Sequence, residues 1–260
     1  MLRIEELKKS YGHNTAVDGI SFTVESGEVF ALLGPNGAGK TTTLKCILGL
    51  RKIDGGSVKL DGTVAYLPEE KNLYPSYSIE RLIAFTNDLT EGFDMSKAFS
   101  TVKEFGIGLQ EKITNLSHGM LTLVYLALVF AQKADIYIMD EPTWGLDPLM
   151  RTHAMRIIKE LAVSGKTILY TSHILSEVEK LADTVAIMNN GKILEMGRIE
   201  ELKSRYAAVT VEKGKKVKGF LWRSTQTGDI YILRREKGLT DYEEAPFDAI
   251  FEAVVRGDAR

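Results

Sequence analysis

The segment from Val29 to Thr43, VFALLGPNGAGKTTT, constrains this chain more than any other part of it. Its apolar start, Val29 to Leu33, predicts a buried strand, and the apolar-periodic residues after Lys40 predict a helix. The turn between them is rich in glycine, which lets the backbone come close to a ligand and direct its N–H groups toward phosphate oxygens. Together, the strand, the turn and the helix are the context of a phosphate-binding loop, the P-loop.

Two side chains of this segment carry the chemistry of such a loop. The ammonium group of Lys40 is expected to contact β- and γ-phosphates, and the hydroxyl group of Thr41 is placed to ligate Mg²⁺. The start of the helix adds N–H groups without intrahelical partners and a partial positive charge. A chance glycine turn is the alternative, but every fixed position of the pattern GxxxxGK(S/T) is filled. The predicted ligand is therefore a nucleoside triphosphate.

Composition narrows the class of protein. With 260 residues, the chain has room for one large α/β domain with an appendage or for two small domains. A hydrophobic fraction of 44% excludes disordered and fibrous classes, and a net charge of −2 gives no general attraction to nucleic acid. The single cysteine, Cys46, and the lack of a secretory signal in MLRIEELKKS predict a cytoplasmic location. No apolar run is long enough to span a bilayer, so we expect any membrane to be reached through another chain.

Strand and helix patterns predict an α/β fold with a P-loop NTPase core and a mixed or parallel sheet. Two alternating segments before the P-loop strand predict an N-terminal antiparallel β subdomain. Residues from about 71 to 133 are mostly helical and predict an inserted helical subdomain. The predicted domains are residues 1–205, the nucleotide-binding domain, and residues 206–260, a small α+β extension that is rich in strands and ends in a helix.

Local signals place several elements within these parts. Helices are predicted from near Ser78, from Asp94 to Phe105 and across Met120 to Ala131, and a hairpin turn is predicted at Asn190-Gly191. A basic cluster in the extension fits either a solvated hairpin, which is the favoured interpretation, or contact with lipid head groups or nucleic acid. The cluster contains Lys213, Lys215, Lys216 and Lys218.

Two carboxylates follow the buried strand IYIM, at the end of a strand where open α/β sheets bind their ligands. Asp140 is expected to hold Mg²⁺, directly or through water, and Glu141 to polarise the attacking water. The alternative is a simple turn that ends the strand. His173 follows another predicted strand, KTILYTSH, at the same sheet edge, and for this reason we expect it to contact the γ-phosphate rather than to have the structural role that is usual for a lone histidine. These residues and the P-loop together predict hydrolysis of the triphosphate.

Five segments in order, the P-loop, LSHGM (Leu116 to Met120), IYIMDEP, WGLD and TSH, make the chain resemble the ATP-binding subunit of an ATP-binding cassette (ABC) transporter. The resemblance extends from about Leu2 to Gly197. The final PFDAIFEAVV is similar to the tails of subunits that serve bacterial export-type transporters.

The resemblance implies a role for each matching residue. It makes Tyr11 the residue that stacks on adenine, although strand-edge packing is the alternative for a tyrosine there, and it makes Leu146 and Asp147 part of the D-loop. It implies Glu141, His173 and Glu69 as catalytic residues and Thr41 and Asp140 as metal ligands. The implied nucleotide-binding residues are Tyr11, Gly34, Asn36, Gly37, Ala38, Gly39, Lys40, Thr41, Thr42, Ser117 and Gly119.

The resemblance also implies cofactors and partners. ATP and Mg²⁺ are the expected cofactors, and Ser117 and Gly119 would face the γ-phosphate of a nucleotide on a second cassette, either identical or different. The other expected partner is an integral-membrane permease subunit, which would hold this chain peripherally at the inner face of the cell membrane. No nucleic acid is expected.

Four departures from the family pattern bear on activity. His118 and Met120 replace a glycine and a glutamine of the usual LSGGQ signature, and Leu121, Thr122 and Leu123 follow where basic residues are common. Glu69 replaces the Q-loop glutamine and adds negative charge, although it can still reach Mg²⁺ or water. Trp144 replaces a D-loop serine.

Several functions are compatible with this pattern. The leading one is an ATPase subunit that drives a separate permease through an ATP-dependent dimer, with the loop NLYPSYS, including Tyr74 and Tyr77, as the permease contact or else as local packing. The second is a regulatory module that dimerises with ATP and has negligible turnover. A third possibility is a soluble ABC ATPase of DNA repair or the ribosome, but such proteins usually carry long coiled coils or tandem cassettes, and this sequence shows neither. A GTPase is less well supported still, because no NKxD motif follows the P-loop.

Overall fold

The structure, a computed structural model, describes residues 1–215, 217–236 and 241–257 of an α/β chain. Lys216 of the predicted basic cluster and residues 237–240 and 258–260 of the predicted extension lie outside the described residues. In chain order the strands are β1 (Leu2–Tyr11), β2 (Asn14–Val24), β3 (Val29–Leu33), β4 (Gly55–Leu60), β5 (Val64–Leu67), β6 (Ile136–Met139), β7 (Thr167–Ser172), β8 (Thr184–Asn189), β9 (Lys192–Arg198), β10 (Tyr206–Val211), β11 (Phe220–Ser224), β12 (Asp229–Arg234) and β13 (Glu243–Glu244). The α-helices are α1 (Lys40–Ile47), α2 (Ile79–Leu89), α3 (Met95–Glu104), α4 (His118–Phe130), α5 (Pro148–Val163), α6 (Leu175–Leu181), α7 (Ile199–Arg205) and α8 (Phe247–Arg256).

The chain divides into two compact units. The first unit contains residues 1–4, 22–29 and 58–172, and the second unit contains residues 5–21, 30–57 and 173–260 as far as they are described. Each unit has its own buried core and its own share of the candidate site, so each is described separately.

The first unit is built on parallel strands. β5 pairs with β6 and β6 pairs with β7, both in parallel register, so that Tyr66 lies opposite Ile138 and Ile138 lies opposite Leu169. Every residue of β6 and β7 is buried, as expected for strands covered on both faces. This arrangement confirms the predicted parallel core and places the ends of β5 and β6 side by side.

The helices of the first unit begin where the sequence predicts. Ser78 caps α2 by accepting a hydrogen bond from the Arg81 N–H at 3.2 Å, and Asp94 caps α3 by accepting one from the Lys97 N–H at 2.9 Å. The predicted buried helix is α4, and most of its residues are buried against α2, α3 and α5. The predicted helical region is therefore confirmed, with α4 at its centre.

The second unit contains a mixed sheet. β3 pairs in parallel with β8, and β8 pairs antiparallel with β9 through the turn predicted at Asn190-Gly191. Both turn residues have positive φ, 47° for Asn190 and 78° for Gly191, which is the backbone of a type I′ hairpin turn. Apart from this core, β1, β2 and β4 form a three-stranded sheet in the order β2-β1-β4, so the N-terminal strands have a third neighbour that the sequence pattern did not predict.

The C-terminal residues form an antiparallel sheet with the order β11-β12-β10-β13, which belongs to the second unit. α8 contacts β8, β9, β11, β12, α6 and α7. The half-buried carboxylate of Glu195 on β9 accepts a hydrogen bond from the Tyr206 hydroxyl at 3.0 Å and ion-pairs with Arg205 at 3.3 Å and Arg234 at 2.9 Å. The strands and terminal helix predicted for the extension are thus present and packed into the same unit as the P-loop.

Candidate functional site

The P-loop lies in the second unit, between the buried strand β3 and helix α1. A Cβ atom on Gly34 would come within 2.2 Å of the Met188 carbonyl oxygen, and one on Gly39 within 2.2 Å of the Ala16 carbonyl oxygen. Gly37 and Gly39 have positive φ, 80° and 105°. Gly34 and Gly39 are therefore needed for close packing of the loop as well as for exposure of its N–H groups.

The side chains of the loop divide into an anchored part and an exposed part. Lys40 is 6% exposed, and its ammonium group donates to the Gly34 carbonyl at 2.7 Å and the Pro35 carbonyl at 3.3 Å. Ala38 is buried, and its carbonyl accepts a hydrogen bond from the Gly191 N–H at 3.0 Å. Asn36 and Gly37 are exposed at the outer edge of the loop, and Thr41 and Thr42 are half-buried in the first turn of α1.

Tyr11 also belongs to the second unit, at the end of β1. Its ring is 46% exposed, and the Lys9 ammonium lies 5.4 Å from the ring centroid. The ring is therefore open to a flat ligand, as the stacking hypothesis requires. His173, the first residue after β7, is exposed and is also assigned to the second unit.

The carboxylates Asp140 and Glu141 lie in the first unit, directly after β6. Asp140 is fully buried and Glu141 is 6% exposed. The Thr171 hydroxyl on β7 donates to Asp140 Oδ1 at 2.6 Å and accepts the Glu141 N–H at 2.9 Å. One hydroxyl group thus fixes both residues.

Thr171 is the residue of this candidate site that the sequence patterns did not reveal. A signal for it was available in the sequence, because Thr171 is a polar residue near the end of a predicted buried strand, two residues before His173. Glu141 itself has φ of 49°, a left-handed conformation that is uncommon for a residue other than glycine and is often found at functional sites.

Glu69 is exposed in the loop after β5, two residues before a buried lysine. Lys71 is 8% exposed, and its ammonium group donates to the Glu69 carbonyl at 2.9 Å. The pKa of Lys71 lies below its ordinary value, because burial disfavours the charged ammonium group. The negative charges of Glu69, Asp140 and Glu141 act in the opposite direction and only partly cancel the effect of burial. The ammonium group of Lys71 is therefore held by a backbone carbonyl in this loop, and nearby negative charge favours its protonated form.

The start of α4 carries the signature residues. Ser117 is exposed and caps α4 by accepting a hydrogen bond from the Met120 N–H at 3.2 Å. Gly119 is buried, and a Cβ atom there would come within 2.6 Å of the Met150 sulfur atom and 3.5 Å of a Leu146 methyl group. The glycine is therefore required where α4 passes close to the beginning of α5.

Two of the departures from the family pattern contact each other. The His118 and Trp144 rings meet edge to face, with centroids 5.6 Å apart and planes at 89°. A Cβ atom on Gly145 would come within 3.1 Å of the His118 ring. Leu146 is buried, and Asp147 caps α5 by accepting the Met150 N–H at 2.9 Å. The signature segment and the D-loop segment are thus joined by an aromatic pair.

The predicted residues therefore form two groups. The P-loop, Tyr11 and His173 belong to the second unit, whereas Glu69, Asp140, Glu141 and the signature segment belong to the first. No helix among the described residues is long and apolar enough to cross a membrane.

The fold and the loop define a P-loop NTPase. The family model described as ABC transporter matches residues 17–144. The linearmycin resistance ATP-binding protein LnrL of Bacillus subtilis is 36% identical over 228 residues, which is 81% of this chain and 73% of the relative. The Nod factor export ATP-binding protein I of Ralstonia nicotianae is 37% identical over 220 residues, 78% of this chain and 68% of that protein.

Solved structures agree with the sequence relatives. An ATP-binding subunit of an ABC transporter matches with a TM-score of 0.71 and 30% identity, covering 78% of this chain and 92% of that one. A dimeric bacterial ABC transporter cassette matches with a TM-score of 0.70 at 20% identity, over 76% of this chain and 99% of that one, and shows the shared fold. The chain belongs to the family of ABC transporter ATP-binding proteins.

Proposed function

We propose that this chain binds ATP with Mg²⁺ and hydrolyses it to drive a separate membrane permease, as a dimer of cassettes held together by ATP. The observation that carries this proposal is the pair Asp140 and Glu141, buried at the end of a parallel strand and fixed by one hydroxyl group, in a chain that also has a complete P-loop. Buried carboxylates in such a position are typical of a metal ligand and a base in phosphoryl transfer.

The P-loop would bind the phosphates in this proposal. The loop from Gly34 to Gly39 offers backbone N–H groups, and Lys40 offers a buried ammonium group already directed at the loop carbonyls. Tyr11 offers its exposed ring to the adenine base. The remaining proposed contacts from this segment are Asn36, Gly37, Ala38, Thr41 and Thr42.

The donor atoms of Asp140 and Thr41 are carboxylate and hydroxyl oxygens, which fit Mg²⁺. Asp140 is buried and hydrogen-bonded through one oxygen to Thr171, so its position is well defined. When bound, Mg²⁺ offsets the negative charge on the β- and γ-phosphates.

Glu141 would hold and deprotonate the attacking water, because its left-handed backbone and the hydrogen bond from its N–H to Thr171 fix where its side chain begins. His173 would contact the γ-phosphate, and Glu69 would contact Mg²⁺ or its water. Each of these roles is a proposal for this chain.

We propose two partners. One partner would be a second cassette, identical or different. Ser117 and Gly119, at the start of the thirteen-residue helix α4, would contact the γ-phosphate of the nucleotide that is bound to that second cassette. A permease subunit would hold the pair at the cytoplasmic face of the membrane. Residues 1–205 would form the cassette, and residues 206–260 an extension that begins where α7 ends and β10 begins.

An alternative is a regulatory module that dimerises on ATP and turns over negligibly. The observations in its favour are the His118–Trp144 pair at the signature and the extra charge of Glu69. Both changes lie where the family pattern has small or neutral residues, so they are expected to affect turnover more than binding.

Replacing Glu141 with Gln separates the two functions. If the chain is an ATPase, Glu141→Gln should lower the hydrolysis rate by about 100-fold or more, because it removes the base, and should accumulate an ATP-dependent dimer in light scattering. Lys40→Ala is the control that should abolish both properties by weakening nucleotide binding. If the wild type hydrolyses ATP no faster than Glu141→Gln while still dimerising, the regulatory module is correct.

A further inference from the structure

The basic cluster of the C-terminal extension has no role in the function described above. Five of the thirteen residues from Glu212 to Ser224 are lysine or arginine and one is glutamate, whereas the whole chain has a net charge of −2. Lys213, Lys215 and Lys218 are exposed, and within the described residues none of them forms an ion pair with a carboxylate. Positive charge is therefore concentrated in one short segment of a chain that is otherwise slightly acidic.

This segment is not the solvated hairpin that the sequence favoured. β10 and β11 both pair antiparallel with β12, which lies between them, so residues 212–219 cross over β12 to reach the other side of the sheet. We call these residues the basic crossover. A hairpin would instead require β10 and β11 to pair with each other. The prediction of a hairpin is therefore wrong, because the strand that follows in the sequence inserts between the two.

Contacts near both ends place the basic crossover on one face of β12. Near its start, the Gly214 N–H donates to Asp229 Oδ2 at 2.9 Å, and at its end a Cβ atom on Gly219 would come within 3.2 Å of Leu233 Cβ. Asp229, Tyr231 and Leu233 are separated by two residues each along β12, so their side chains share a face. Tyr231 is buried on this face. The basic crossover therefore packs over β12 and directs its lysines away from the sheet, where they are exposed.

Exposed apolar side chains lie beside these lysines. Leu221 of β11 lies directly opposite Tyr231, so its side chain is on the face that the basic crossover covers, and it is 45% exposed. Trp222, which the strand register skips at a bulge, is half-buried, and the Arg223 guanidinium lies 3.8 Å from the centroid of its ring. Val217, within the crossover, is 37% exposed. Cationic and apolar groups are therefore combined in one surface region.

A region of this chemistry fits the surface of an anionic bilayer. Ammonium groups are attracted to negatively charged head groups, and leucine and tryptophan side chains bury apolar surface at the boundary between head groups and acyl chains. A nucleic acid would also attract the lysines, but its phosphate backbone offers no apolar partner to Leu221 or Val217. The exposed apolar side chains therefore favour a lipid surface over a nucleic acid.

We propose that the basic crossover and the exposed side chains of β11 bind the surface of a bilayer that contains anionic phospholipids. Lys213, Lys215 and Lys218 contact the head groups, and Leu221 and Trp222 enter the interface. The contact is made by this chain alone and requires neither ATP nor a permease. The inference therefore goes beyond the proposed function and is tested separately from it.

The test is sedimentation of the full chain, without a permease, with vesicles of phosphatidylcholine alone or mixed with phosphatidylserine. We expect binding to the mixed vesicles only, and weaker binding at high salt, because ions screen the attraction. Each lysine should contribute about fivefold to the binding constant, so changing Lys213, Lys215 and Lys218 together to Gln should weaken binding by about 100-fold. Leu221→Ser should also weaken binding, but should leave its dependence on salt unchanged, because it removes apolar surface and no charge.

A matched control separates the position of the lysines from their charge. Changing Lys52, Lys103 and Lys133 together to Gln removes the same charge from exposed positions elsewhere in the chain. This variant should bind mixed vesicles like the wild type. Thermal unfolding of every variant checks that the fold is retained.

Fluorescence tests whether β11 enters the interface. The chain has two tryptophans, so Trp222 is the only one in a Trp144→Phe variant. Its emission should shift to shorter wavelength when mixed vesicles are added and should not change with phosphatidylcholine alone, because the ring then passes from water to a less polar surrounding. A variant that sediments with mixed vesicles without this shift would contradict the proposed entry of β11.

Three other results would overturn the inference. The first is a wild type that binds neither kind of vesicle, or both alike. The second is an equal loss of binding in the two lysine variants, which would show a general effect of net charge. The third is equally tight binding of a DNA duplex that the basic-crossover variant loses, which would assign the segment to nucleic acid. The exposed lysines still decide the question if Leu221→Ser does not fold.

Discussion

At the scale of single residues, Thr171 determines the geometry of the candidate catalytic edge. Its hydroxyl group donates to Asp140 at 2.6 Å and accepts from the Glu141 N–H at 2.9 Å, and all three residues are buried. A buried donor or acceptor that loses its partner costs about 1–3 kcal/mol, more than the hydrogen bond itself contributes. The Thr171 side chain is therefore expected to contribute more to the free energy of folding than its small size indicates.

Replacing Thr171 with Val keeps the shape of the side chain and removes the hydroxyl group. We expect the free energy of unfolding to fall by about 2 kcal/mol, since Asp140 and Glu141 each lose a buried hydrogen bond, and the ATPase rate to fall by about tenfold or more. Chemical denaturation and a steady-state ATPase assay measure the two effects. Thr171→Ser is the control, because it retains the hydroxyl group. A Val variant as stable and active as the wild type would show that the hydroxyl group is dispensable.

At the scale of elements, the loop before α2 contains two tyrosines, for which the sequence allowed either contact with a permease or local packing. The structure is compatible with one role for each tyrosine. The Tyr74 and Tyr77 rings stack at 5.0 Å, and both meet Phe85 of α2 edge to face. The Arg81 guanidinium lies 4.2 Å from the centroid of the Tyr77 ring. Tyr77 is half-buried within this cluster, whereas Tyr74 is 52% exposed at its outer side. Local packing therefore involves Tyr77 more, and Tyr74 is the better candidate for contact with a partner.

Single alanine variants should separate these two roles. Tyr77→Ala removes the ring stacking and the Arg81 contact, so the free energy of unfolding should fall by about 1–2 kcal/mol. Thermal unfolding measures this loss as a lower midpoint temperature. Tyr74→Ala should change the stability of the isolated chain less and should reduce co-sedimentation with membranes that contain the co-expressed permease. If Tyr74→Ala leaves membrane association unchanged, the permease contact lies elsewhere.

At the scale of the whole molecule, the C-terminal residues are structurally part of the unit that holds the P-loop. α8 packs on β8, β9 and α6, and Asn189 Nδ2 donates to the Val255 carbonyl at 3.2 Å. The Glu195 carboxylate joins β9 to Arg205, Tyr206 and Arg234. Removal of residues 206–260 would expose the apolar surfaces that α8 covers, so the extension is expected to support the cassette even though its sequence character differs.

A chain that ends at Arg205 should therefore be less soluble than the full chain and should lose cooperative unfolding in denaturant, because the core of the second unit is no longer closed. Glu195→Gln is the graded variant: it keeps the extension but weakens two ion pairs, and should cost about 1–3 kcal/mol in unfolding free energy. A soluble fragment with the unfolding midpoint of the full chain would show that the extension is an independent domain.

Sequence patterns determined most of the elements of this protein. The caps at Ser78 and Asp94, the buried helix α4 and the hairpin turn at Asn190-Gly191 depend on local chemistry, and local chemistry can be read from neighbouring residues. The P-loop was predicted for the same reason, because its glycines, lysine and threonine follow one another in the chain.

Only the tertiary structure decided which distant side chains meet. Thr171 lies 31 residues from Asp140, and the ring of Trp144 meets that of His118 at the start of α4. No periodicity or spacing encodes such contacts, because they depend on the pairing of parallel strands and on the path of the loops that follow them. The packing of the C-terminal helix against β8 and β9 is equally invisible in the sequence, since burial depends on what the rest of the chain brings to that surface.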